Sequence, residues 1–156
     1  MRHILAAAMM MLAGGAMAQE APAQWMLWDD PAYVSLNWGT PETDHVEVLF
    51  GCEPGVPEID FVYFADMPEA RNGRDVNVWL SNGALDYLVP AIGERMAMDD
   101  SFALSGVVVV DPVLEKILRS DQLTVRVEGE PDTASYDLRG AQALFDTLLA
   151  TCREQA

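Results

Sequence analysis

The feature that most constrains this chain is a series of short runs in which apolar and polar residues alternate, each run cut off by turn residues. In "AYVSLNWG", Val34, Leu36 and Trp38 alternate with Tyr33, Ser35 and Asn37; in "HVEVLFGC", Val46, Val48, Phe50 and Cys52 do the same. A period of two puts apolar side chains on one face of a half-buried strand. The loop "GTPETD" between these runs has the length and composition of a hairpin connection. "EIDFVYF" follows the Pro54-Gly55 turn, and "DVNVWL" sits between Asn72-Gly73 and Asn82-Gly83. Asn-Gly tolerates positive φ at both turn positions, which makes it a strong hairpin signal. "ALDYLV" is expected to end at Pro90. "FALSGVVVV" is more continuously apolar, as a central strand covered on both faces would be.

The pattern then changes. Asp111-Pro112 supplies a capping carboxylate followed by proline at the first helical position. Leu114, Ile117 and Leu118 form one apolar face of a short helix ending near Ser120. "QLTVRVEG" and "ASYDLRG" predict a strand pair across Glu130-Pro131-Asp132. A last helix starts near Ala141, where Ala141, Leu144, Phe145, Leu148, Leu149 and Cys152 fall on one stripe. The expected fold is β-rich α+β: a curved antiparallel sheet, barrel or sandwich, with a short helix and a carboxy-terminal helix packed on it.

The opening "MRHILAAAMMMLAGGAMAQE" has a basic start, an apolar run from Ile4 to Leu12, and the small-x-small site Ala16-Met17-Ala18. This reads as a signal peptide over residues 1–18, leaving one globular domain over 19–156 in the periplasm or secreted. The run is too short to span a bilayer, and no later stretch is long enough. The full chain carries 9 basic and 25 acidic residues. Loss of Arg2 with the signal leaves 8 against 25, a net charge of −17. Lys116 is the only lysine. Such a field disfavours nucleic acid and anionic membrane surfaces and favours basic protein partners, although acidity also serves solubility alone. Cys52 and Cys152, 100 positions apart, most simply form one disulfide in an oxidising compartment. Closing a loop of that size stabilises by up to about 4.7 kcal/mol in the chain-entropy view.

The stretch "LEKILRSDQLTVRVEGEPDTASYDLRGAQALFDTLLATC" couples a helix, two strands and a small-residue helix, with Gly140 at the strand-to-helix turn and Cys152 as staple. It resembles the carboxy-terminal part of the invasion-associated locus B family and of type VI secretion-associated periplasmic proteins. The resemblance covers about a quarter of the chain. It implies a β-rich, exported, non-catalytic protein and supplies no active-site residue.

Few residues offer chemistry. His45 is the only histidine after the signal, and "LSG" at 104–106 lacks the strand–elbow–helix setting of a serine hydrolase. Asp66, Glu69, Asn72, Asp75 and Asn77 surround a turn that could hold calcium, but they match no EF-hand and include Arg71 and Arg74. Met96 and Met98 could favour copper(I), or simply pack at a strand edge. No cofactor is called for. If "QWMLWDD" is extended, Trp25 and Trp28 fall on opposite faces, and Trp79 opposes Val78 and Leu80, so these three are the candidate partner surface. The alternative is that they cover a second small cluster. The expectation is a non-enzymatic exported accessory or binding protein acting through protein–protein contact. An inhibitor of a basic envelope-directed enzyme, such as a lysozyme, is one version. A small-ligand carrier with an apolar cavity and a metal-binding module are the alternatives.

Overall fold

The computed structural model describes residues 21–65, 72–96 and 101–153. The proposed signal segment, Asp66, Glu69 and Met98 fall outside the described residues. The segment carrying Trp25 and Trp28 forms strand β1 (Gln24–Asp29), and the runs that follow become β2 (Val34–Gly39), β3 (Val46–Cys52), β4 (Glu58–Phe64), β5 (Asp75–Ser81), β6 (Asp86–Arg95) and β7 (Phe102–Val109). Helix α1 (Pro112–Leu118), strands β8 (Gln122–Val127) and β9 (Thr133–Asp137), and helix α2 (Gln142–Cys152) complete the order. All pairings are antiparallel, in one sheet of order β1-β2-β3-β4-β7-β6-β5-β8-β9.

The sheet curls into a half-barrel around both helices, with its largest fully buried side chains on the concave face. Leu36, Val48, Phe50, Phe61, Val78, Leu80 and Leu104 are fully buried there against Leu114, Ile117 and Leu118 of α1 and Phe145 and Leu148 of α2. α1 starts as its sequence dictates: the Asp111 carboxylate accepts from the Val113 and Leu114 amides, both at 2.8 Å. The curl brings the sheet's two edges together, where the Trp25 indole N–H of β1 donates to the Asp137 carbonyl at the end of β9, at 2.9 Å. Trp25 also stacks edge-on against Phe145 and Trp38, with centroids 5.0 and 5.5 Å away.

Cys52 and Cys152 are bonded, each almost wholly buried. The bond joins the end of β3 to the last turn of α2. Beside it, the Gly55 amide donates to the Thr151 carbonyl at 2.8 Å and satisfies the helix end.

One strand boundary departs from expectation. β6 does not end at Pro90 but continues to Arg95. Proline can sit inside this strand because its missing N–H faces β7 where no ladder bond is made. The β6–β7 register runs only from Ala91 to Arg95. Past it, the Tyr87 hydroxyl bonds both the N–H and the C=O of Val109, each at 3.2 Å. Gly106 makes the approach possible, since a Cβ there would lie 2.6 Å from the Pro90 carbonyl oxygen.

Candidate functional site

Both helices occupy the concave face, so the convex face of the sheet has no cover from the described chain. In an antiparallel sheet with one wet face, that face should read polar. On β6 and β7 it does not. Leu88, Ile92, Val107 and Val109 are each about half exposed, at 49, 48, 53 and 53%. Pro90 is exposed between them. The pairing flanks these apolar residues with carboxylates: Glu58 lies opposite Val109 and Asp60 opposite Val107 on β4, while Asp75 lies opposite Ile92 on β5. Tyr33 roofs the β4 side, its hydroxyl donating to Asp60 at 2.9 Å. Its ring lies directly over Gly51, where any Cβ would fall 2.5 Å from the Tyr33 oxygen. Burial, and then the hydrogen bond to Asp60, hold the Tyr33 phenol well above its usual pKa.

Trp79 borders the same patch, opposite Leu88, with the Arg126 guanidinium stacked 4.3 Å from its ring centroid. Trp28, 68% exposed, stands on edge strand β1, six strands away. Trp25 does not belong to any surface. It faces inward and is 8% exposed, because residues 25 and 28 alternate across the strand and the inward position meets α2. The three tryptophans therefore do not form one patch. The residues that do, Leu88, Pro90, Ile92, Val107 and Val109, carry a sequence signal in the broken alternation of "LVPAI" and "GVVVV".

At one end of the same face lies an open cleft of about 480 Å³ between the β2–β3 loop and the ends of β4 and β7. Asp44, His45, Glu47, Leu49 and Phe64 line it. His45 Nε2 stands 3.4 Å from Glu47 Oε1. The Tyr136 hydroxyl is buried beside Tyr63 and Glu47, and among the described residues none stands at ordinary hydrogen-bond geometry to it. Burial, and then the nearby Tyr63 phenol and Glu47 carboxylate, push the Tyr136 phenol far above its usual pKa. Burial likewise raises Tyr63.

Of the metal candidates that are described, Asn72 and Asn77 are engaged within the fold. Asn72 Oδ1 accepts the Arg95 amide at 3.1 Å, and Asn77 Nδ2 donates to Glu128 at 3.0 Å. Asp75 is exposed at the start of β5, and Met96 is exposed past the end of β6. Among the described residues, no three His, Cys, Asp or Glu side chains come together as a metal site. No described helix is long and apolar enough to cross a membrane. The chain matches no family model, no curated protein and no solved structure.

Proposed function

We propose that this is an exported, non-enzymatic binding protein that engages a basic protein partner through the convex face of its sheet. The observation that carries this reading is the half-exposed apolar patch on β6 and β7, in the centre of a sheet whose other face is already filled. A patch of this kind costs solubility unless something covers it. The carboxylates of Glu58, Asp60 and Asp75 along its borders choose between occupants. A second copy would set those carboxylates against their own kind on a strongly acidic protein, whereas a partner with lysines and arginines around an apolar centre would pair with them. An envelope enzyme of basic charge, held inactive by the contact, is one form such a partner could take. The buried disulfide is compatible with an oxidising compartment. The packed concave face, with its largest side chains fully buried, favours this reading over a carrier with an apolar cavity.

The test uses the chain from Gln19 onward as bait in a periplasmic extract, beside Leu88→Ser/Val107→Ser and Trp28→Ser variants. Capture of one basic protein that the double variant loses and Trp28→Ser retains supports the reading. Equal capture by the double variant, or a salt-stable homodimer that Leu88→Ser/Val107→Ser dissociates, rejects it.

A further inference from the structure

We infer that the element covering the apolar patch is a single amphipathic helix with basic residues on both flanks, lying lengthwise over β6 and β7; this inference rests on the binding function proposed above. The place of the patch in the sheet argues against an added strand. β6 and β7 are interior strands, with β5 and β4 on their outer sides, so neither offers a free edge. An extended segment laid on this face would gain no main-chain ladder and would press its own N–H and C=O groups against aliphatic side chains. A helix arrives with those groups already bonded.

The dimensions of the patch fit one helix. Its floor is two columns of exposed apolar side chains, Val107 and Val109 on β7 and Leu88, Pro90 and Ile92 on β6. Directly paired residues share a face, so Glu58 and Asp60 rim the floor on β4 and Asp75 rims it on β5. β4 and β5 are three strand steps apart, about 14 Å. A helix with its side chains is about 10–12 Å across, so it covers both columns while lysines or arginines on its flanks reach the rims. Alternate residues of a strand stand about 6.7 Å apart, and helix positions i, i+4 and i+8 about 6 Å apart, so three anchors keep step with Leu88, Pro90 and Ile92. The rims are not symmetric. Trp79, opposite Leu88, carries the Arg126 guanidinium on its ring. A basic residue on the β5 flank therefore belongs at the Ile92 end, near Asp75, and those on the β4 flank beside Val107 and Val109.

The experiment is heteronuclear NMR on the isotopically labelled chain from Gln19, titrated with two capped alanine-based peptides of about four helical turns. One carries leucines at i, i+4 and i+8 with arginines on both flanks. The other has the same composition rearranged so that leucine and arginine alternate. The first is expected to shift the amides of residues 88–92 and 107–109, to gain helix by circular dichroism, and to bind at least about tenfold more tightly than the second. Leu88→Ser/Val107→Ser should weaken it by at least about tenfold. Glu58→Gln and Asp75→Asn should each weaken it by about threefold, as loss of one exposed charge contact does. Equal binding of the rearranged peptide, or shifts centred away from β6 and β7, overturns the inference. If the rearranged peptide binds as well while Leu88→Ser/Val107→Ser still loses the partner from extract, the helix falls and the convex-face reading stands. If the helical peptide seats on the patch while that variant still captures the partner, the binding reading fails and the helix seat stands.

Discussion

Trp25 holds two elements that are 112 positions apart: its ring fills the gap between Trp38, Phe50 and Phe145, and its N–H ties β1 to the end of β9. These two contributions can be separated. Trp25→Phe keeps most of the packing and leaves the Asp137 carbonyl to water at the edge, which should cost about 1–2 kcal/mol. Trp25→Ala opens a cavity and should cost about 3–5 kcal/mol in urea denaturation. Equal losses would mean that the seam depends on the hydrogen bond rather than on the ring. The Tyr136 hydroxyl is the opposite case, a polar atom that the core buries without return. Tyr136→Phe should be neutral or stabilise by up to about 1 kcal/mol, because it removes an unpaired buried group while keeping the ring stacked on Trp38. A loss above about 1 kcal/mol would show that the hydroxyl is bonded in solution.

At the scale of elements, α2 is fastened three times: by its apolar stripe, by the disulfide, and by the Gly55 amide on its last turn. Leu148→Ala should cost about 2–5 kcal/mol, since the side chain is fully buried. Cys52→Ala/Cys152→Ala should lose up to about 4.7 kcal/mol in the same assay. Preserved stability in both variants would mean that α2 adds little to the half-barrel. The aromatic end formed by β3, β4 and β9 predicts a pH effect. Tyr63 and Tyr136 have raised pKa values because burial favours the neutral phenol. Their contribution is therefore fully present below the unfolded value of about 10 and is lost as pH rises through the higher folded values. Phenolate absorbance should appear together with unfolding for these two residues. Ionisation near pH 10 in a chain that stays folded would contradict their burial. The elements themselves were legible in the sequence, because alternation and caps are local. The end of β6 was not. Pro90 is a strand breaker by local rules, and it is tolerated because its missing N–H faces β7 beyond the end of the β6–β7 ladder, a placement that only the pairing reveals.

For the whole molecule, the acid excess should govern how a partner arrives rather than how tightly it holds. Raising ionic strength from about 0.01 to 0.15 M shortens the screening length from about 30 to 8 Å, so association with a basic partner should slow by at least tenfold. Dissociation, set by the apolar patch, should change far less. Stopped-flow or surface kinetics will separate the two, and a salt-indifferent association rate would remove charge from the account. What the sequence determined by itself was what depends on neighbours along the chain: strand periodicity, helix starts, a two-helix complement, an acid excess, and two cysteines with no other partner. The tertiary structure alone decided which face of the sheet the helices cover. Alternation assigns residues to two faces but does not say which face stays wet, so Trp25 could be read as surface and Val107 and Val109 as core. Both helices packing on the concave side reversed those assignments. It buried Trp25 and left the apolar outer residues of β6 and β7 facing solvent.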